Sequence, residues 1–139
     1  MEKENQVVNI KLAKLMDELG FKQDSVFYWN PPVTTEFDGS NEEYQEGQPY
    51  TLDNINKGFA YFKSYPAYTV AELWNMLPAL ISIKKRVRYH EYFLRIDKFT
   101  LGHKISYEND KDFLWATVAQ NIVDSMSEML IYLKENKLI

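Results

Sequence analysis

The chain has 139 residues, of which 45% are hydrophobic and 15% aromatic, and its formal net charge at pH 7 is -4. These values predict one globular domain, residues 1–139, and argue against disorder of the whole chain. The absence of cysteine excludes disulfides, thiolate metal sites and cysteine nucleophiles. The first residues are charged and no apolar run approaches the length of a membrane span. We therefore expect a cytoplasmic protein that makes no membrane contact.

The first predicted element is a helix over about Asn5–Leu19, because apolar residues recur there at helical steps. These residues are Val8, Leu12, Leu15 and Leu19. Gly20 follows at the position where glycine commonly ends a helix. Ser25–Trp29 is dense in β-branched and aromatic residues and is soon followed by two prolines. That composition predicts a short strand.

Residues 32–56 have no clear period. Asp38–Asn41 is a turn-forming cluster, and a short strand is predicted around Tyr50–Leu52. Gly58–Phe62 is a further strand candidate. The many acids of this segment predict a solvated loop, because the alternating oxygen ligands of a calcium loop are absent.

A short middle helix is predicted to begin at Thr69 and to end at Pro78. Thr69 and Glu72 have the spacing of a capping box, in which each side chain satisfies a free backbone donor. The apolar face of this helix consists of Val70, Leu73, Trp74 and Leu77.

Beyond the middle helix the hydrophobic period changes from helical to two. Ile81 and Ile83 share one phase, whereas Tyr92–Ile96 occupies the other, so a turn or bulge is expected between Arg86 and Glu91. His103–Tyr107 gives a third alternating run. The pattern predicts an antiparallel meander of three strands.

A long final helix is predicted over about Lys111–Asn136, with Asp110 as its cap. Its apolar stripe is Trp115, Ala119, Ile122, Met126, Met129 and Leu133. The fold class is therefore α+β: an antiparallel meander packed by N- and C-terminal helices, plus the short middle helix. A surplus apolar edge of the final helix, at Val123, Leu130 and Leu138, is where a homodimer would form.

Four segments carry a family resemblance. They are Leu12–Phe21, Phe27–Trp29, Tyr65–Pro78 and Leu130–Ile139. Together they resemble a group of small proteins from phages and prophage regions of Bacteroides-like gut bacteria. One departure is Tyr68, since that group usually has proline directly before the threonine. The resemblance implies a fold and a biological setting, and it implies no activity or functional residue.

No motif predicts a catalytic residue, a cofactor or a metal site. His90 and His103 are the only histidines, and neither belongs to a paired or HExxH pattern. The serines lie outside any glycine-flanked elbow, and the five glycines form neither a P-loop nor a dinucleotide fingerprint. An enzyme is therefore the third-ranked interpretation, behind two binding functions.

The leading interpretation is a non-catalytic accessory protein that binds an unknown protein partner or itself. Tyr61, Tyr65 and Tyr68 lie in a segment dense in aromatic residues. Tyrosine combines apolar area with a polar group and is enriched at protein interfaces. These three residues are the predicted protein-binding site.

The alternative is nucleic-acid binding through Lys84, Arg86 and Arg88, which would share one face of a strand. Three cations beside a tyrosine suit phosphate contacts with base stacking. The negative net charge makes a nucleic-acid partner the less favoured choice.

Overall fold

The computed structural model describes residues 3–36 and 41–139. Most of the predicted turn cluster at Asp38–Asn41 therefore lies outside the described residues. The contacts divide the chain into two compact units, Met1–Thr69 and Val70–Ile139. Helices and antiparallel sheets together confirm the α+β class, and the single-domain boundary stays a prediction.

The first unit opens with a 3-10 helix, Lys3–Gln6, followed by helix α1, Ile10–Glu18. Asn9 caps α1 by accepting a 2.9 Å hydrogen bond from the backbone N–H of Leu12. The predicted continuous helix over Asn5–Leu19 is therefore wrong at its start. Val7 forms an antiparallel bridge with Thr69, because two buried β-branched residues before a good cap favour extended backbone.

The strands of the first unit are short. They are β1 (Tyr28–Asn30), β2 (Val33–Thr35), β3 (Glu42–Tyr44), β4 (Thr51–Asp53) and β5 (Tyr65–Pro66). β1 lies between β4 and β5, and β2 pairs with β3, all antiparallel. The strand predicted around Tyr50–Leu52 is confirmed by β4.

The strand predicted at Gly58–Phe62 is wrong, because that segment is a loop. Gly58 has a φ of 65°, a conformation that glycine adopts without strain. The backbone N–H groups of Ala60 and Tyr61 donate to the carboxylate of Glu42 at 2.6 and 3.0 Å. A side chain therefore satisfies donors that a neighbouring strand would otherwise have bonded.

The second unit is a four-stranded antiparallel meander with two helices. Its elements are α2 (Val70–Met76), β6 (Leu80–Lys85), β7 (Arg88–Phe99), β8 (Gly102–Glu108), β9 (Phe113–Ala119) and α3 (Ile122–Glu135). The strands lie in chain order. The middle helix and the meander are confirmed, and the predicted turn is the pair Arg86–Val87 between β6 and β7.

The long helix predicted over Lys111–Asn136 is wrong in its first third, which is β9. Residues four apart, such as Trp115 and Ala119, share one side of a helix and also one face of a strand. The spacing therefore left both structures open. Asn121, and not Asp110, caps α3 by accepting a 2.9 Å hydrogen bond from the N–H of Val123.

Helix α3 packs on β8 and β9. Thr117 donates to the carbonyl of Ser125 at 2.7 Å, and Ser125 donates to the carbonyl of His103 at 2.9 Å. The buried residues of α3 are Val123, Ser125, Met126, Ser127, Met129, Leu130, Ile131 and Leu133. The prediction that Val123, Leu130 and Leu138 form a homodimer edge is therefore wrong, because Val123 and Leu130 are buried in the core. None of the helices in the described part of the chain combines the length and the apolar composition of a transmembrane span.

Candidate functional site

The two faces of the four-stranded sheet differ in what covers them. Ile81, Tyr92, Ile105 and Thr117 point to the face on which α3 packs, and each is at most 8% exposed. The opposite face, here called the open face, carries the alternate residues of the same strands. These are Leu80, Ser82 and Lys84 on β6, odd positions 89–99 on β7, even positions 102–108 on β8, and Phe113, Ala116 and Val118 on β9.

The open face is rich in exposed apolar side chains. Leu80, Phe93 and Phe113 lie in one row across the sheet, since Phe93 pairs with both Leu80 and Glu108, and Glu108 pairs with Phe113. Their exposed fractions are 42%, 51% and 60%. Phe99 and Val118 extend the apolar surface at 51% and 63%. This exposed apolar row makes the open face a candidate interaction surface.

Three charged residues near the centre of the open face are paired with one another. Arg95 donates to Glu108 at 2.8 Å and to Asp97 at 3.2 Å. The hydrogen bonds that Arg95 donates, first to Glu108 and then to Asp97, raise the pKa of its guanidinium. Ser106, fully buried in the same row as Arg95, donates to Glu108 at 3.3 Å. The polar centre of this face is therefore a preformed network, flanked by apolar side chains and carrying little net charge.

The three predicted tyrosines do not form one surface. Tyr61 is 86% exposed in the loop before β5, whereas Tyr68 is 1% exposed and donates to the carbonyl of Gln23 at 3.0 Å. Tyr68 is therefore a core residue and cannot serve in a docking patch. Tyr65 is half-buried on β5.

The ring of Tyr65 is surrounded by groups of its own unit. The ammonium groups of Lys14 and Lys63 lie 5.8 and 5.7 Å from its centroid, and the ring of Tyr50 is 6.2 Å away. Burial, and then the neighbouring Tyr50, raises the pKa of the Tyr65 hydroxyl. Of the predicted site, Tyr61 alone is freely accessible, and the binding role of Tyr61 and Tyr65 stays a prediction.

The basic cluster is also arranged differently from the prediction. Lys84 pairs with Tyr89 and lies on the open face, whereas Lys85 pairs with Arg88 on the opposite face. Arg86 lies in the turn itself. The prediction that Lys84, Arg86 and Arg88 share one face is therefore wrong, because the turn reverses the chain between them. All three nevertheless lie at one end of the sheet.

The two histidines lie far apart along the sheet. His90 pairs with Ile83 near the β6–β7 turn, and His103 pairs with Lys98 near the opposite end of β7. Across residues 3–36 and 41–139, no cluster of three histidine or carboxylate side chains is placed to hold a metal ion. A cleft of about 510 Å³ beside His90 is lined by Lys85 and Asn109–Asp112. Its charged groups include Lys85 and Asp112, which are 3.8 Å apart.

Sequence reasoning missed the open face. The alternation of Tyr92, Leu94 and Ile96 predicts one apolar face of β7, while Tyr89, Phe93 and Phe99 fall in the opposite phase of the same strand. A strand with aromatic residues in both phases indicates two apolar faces. That signal was available in the sequence, whereas the contributions of Leu80, Phe113 and Val118 depended on strand register.

Comparison with models of protein families, with curated proteins and with solved structures finds no match to this chain. The resemblance to phage-associated proteins therefore stays a prediction.

Proposed function

We propose that this chain is a non-catalytic binding protein that presents the open face of its four-stranded sheet to another protein surface. The observation that carries the proposal is the exposed row of Leu80, Phe93 and Phe113. Apolar area removed from water stabilises an interface by roughly 25 cal/mol per Å² before the costs of association. The paired charges of Arg95, Asp97 and Glu108 limit long-range repulsion of a partner.

A second copy of the chain is the partner that this face fits most directly. Two open faces pack as in a β-sandwich, with the sheets roughly 10 Å apart and their strands within about 30°. In a two-fold arrangement the apolar row of one copy meets the apolar row of the other. The mixed signs of the flanking charges suit such a self-complementary contact.

The size of the open face predicts a weak, reversible dimer. Four strands at a spacing of about 4.8 Å and seven residues at about 3.3 Å give a footprint of roughly 400 Å² per copy. Two such footprints fall short of the ~1,200 Å² typical of stable interfaces. We therefore expect a weak, reversible association and not a permanent dimer.

Sedimentation equilibrium from about 10 µM to about 1 mM measures this association directly. The wild-type chain should show a concentration-dependent rise in mass toward a dimer. The double variant Phe93→Ser with Phe113→Ser should weaken association at least tenfold. Its melting temperature should change little, because both rings are at least half exposed.

The matched control is Val26→Ser with Tyr61→Ser, which also removes two exposed apolar side chains, 59% and 86% exposed, from the first unit. This control should associate like the wild type. A wild-type chain that remains monomeric throughout the range would overturn the self-association proposal. Loss of association in the control alone would move the interface to the predicted surface at Tyr61. A cytoplasmic location and a phage or prophage setting remain predictions of the sequence.

A further inference from the structure

The β6–β7 hairpin extends beyond its neighbour β8 as a two-stranded ribbon. β8 ends at Glu108, opposite Phe93, so the residues of β7 before Phe93 have no partner on β8. Residues 82–85 and 88–91 pair solely with each other among the described strands, and the turn Arg86–Val87 joins them. Four residue pairs at about 3.4 Å each give this arm a length of roughly 13 Å. Every residue of the arm except Ile83 is exposed.

The arm concentrates positive charge in an acidic protein. Lys84, Lys85, Arg86 and Arg88 are its cations, and Glu91 is its only carboxylate. The whole chain has a formal net charge of -4. Met1–Thr69 holds eleven acids against six lysines and arginines, so most of the acidity lies in the first unit. Charge in this chain is therefore segregated, and the negative total does not describe the arm.

The cations of the arm surround it. Lys84 lies on the open face, Lys85 and Arg88 lie on the opposite face, and Arg86 lies at the tip. Lys85 is held by Tyr92, whose hydroxyl is 2.8 Å away, and lies 3.8 Å from Asp112. Among the described residues, Lys84, Arg86 and Arg88 form no ion pair within 4.0 Å. The Nζ atom of Lys84 lies 5.9 Å from the centre of the exposed Tyr89 ring. All three cations are exposed, on different sides of the ribbon, and can meet an anionic ligand.

Arg86 occupies a backbone conformation that usually selects glycine or asparagine. Its φ is 58° at the first position of a two-residue hairpin turn. A non-glycine residue in this region costs on the order of 1 kcal/mol. Strained backbone of this kind is concentrated at functional sites, so the conformation of Arg86 supports a role for the exposed tip of the arm.

We propose that the β6–β7 arm binds duplex DNA by entering the major groove, with its cations on the phosphates of both walls. The major groove is about 12 Å wide and accepts a two-stranded β-ribbon. Cations on opposite sides of a ribbon meet two phosphate walls in a groove, whereas an anionic membrane offers a single plane of charge. The major groove of duplex RNA is too deep and narrow for side chains to read. The exposed Val87 and Tyr89, at 88% and 68%, lie at the end of the arm that reaches the base edges.

The test measures fluorescence anisotropy of a labelled duplex of about 20 base pairs at salt concentrations from about 50 to 200 mM. We expect the logarithm of the association constant to fall linearly with the logarithm of the salt concentration. The expected slope is roughly -3, because each of three neutralised phosphates contributes about -0.9. The triple variant Lys84→Gln, Arg86→Gln, Arg88→Gln should lose at least tenfold in affinity at the lowest salt. The charge-preserving triple Lys84→Arg, Arg86→Lys, Arg88→Lys should bind within threefold of wild type.

The matched control removes three cations outside the arm: Lys11→Gln, Lys98→Gln and Lys137→Gln. These positions are exposed, and this variant should keep both affinity and salt slope. No binding at the lowest salt, or an equal loss in the control, would overturn the proposal. Binding to phosphatidylserine vesicles without binding to DNA would also overturn it. DNA binding and dimerisation are measured in separate experiments. A negative result in the DNA titration therefore leaves the proposal for the open face unaffected.

Discussion

Replacing Asn30 by aspartate should unfold the first unit more readily than any surface change, because its side chain amide is fully buried and fully bonded. The amide nitrogen donates to Asp53 at 2.9 Å and to the carbonyl of Ile55 at 3.0 Å. The amide oxygen accepts from the N–H of Lys57 at 3.2 Å and from the hydroxyl of Ser64 at 2.6 Å. Asn30 is 0% exposed. Its side chain thus ties β1 to residues on both ends of the loop that follows β4.

The magnitude follows from the atoms exchanged. Asn30→Asp keeps an acceptor for Lys57 and Ser64 but replaces the donor that faces the Asp53 carboxylate and the carbonyl of Ile55. Two hydrogen bonds are lost at about 1 kcal/mol each, and an acceptor is left facing acceptors at roughly 1–3 kcal/mol more. We therefore expect a loss of about 4 kcal/mol, a large part of the stability of an average domain.

Urea unfolding followed by circular dichroism measures this loss, with Asn54→Asp as the matched control. Asn54 is exposed, so the same chemical change there should alter the free energy of unfolding by less than about 0.5 kcal/mol. The hydrogen bond from Asn30 is the largest cause that lowers the pKa of Asp53. The new carboxylate should resist ionisation beside Asp53, so the deficit should shrink as the pH falls from 7 toward about 5. A loss below about 1 kcal/mol at neutral pH would refute this account of the amide.

Two further substitutions test the packing of each unit. Burial raises the pKa of Asp17, but hydrogen bonds and charges from Lys63 and Lys22 outweigh it and lower that pKa below 3.8. The carboxylate thus contributes stability above pH 3.8 that is lost as the pH falls through its folded pKa. Asp17→Asn should lower the free energy of unfolding by about 1 kcal/mol at pH 7 and should weaken its fall at acidic pH. An unchanged fall at acidic pH would contradict this role of the Asp17 carboxylate. A Cβ on Gly102 would lie 2.5 Å from the carbonyl oxygen of Ala119. Gly102→Ala should therefore lower the free energy of unfolding in urea by about 1–3 kcal/mol. An unchanged unfolding midpoint would show that β9 can move away from the added methyl group without cost.

The sequence by itself determined the fold class and most of the local elements. The period-two alternation from Ile81 to Tyr107 was sufficient for the meander, because a strand face repeats every second residue whatever lies around it. The middle helix followed from its apolar spacing and from the proline that ends it. Such signals lie within a few residues of each other, so no tertiary information was needed.

Tertiary structure alone decided between helix and strand at Phe113–Ala119, because a spacing of four fits both. Pairing with β8 supplied the hydrogen bonds that selected the strand. It also decided which aromatic residues are accessible: Tyr68 entered the core, while Phe93 and Phe113 were left on the open face. The register of strand pairing determines which side chains lie next to each other, and register depends on contacts between residues that are distant in the chain. For the same reason the cations of Lys84–Arg88 appeared as one strand face in the sequence and surround a projecting arm in the structure.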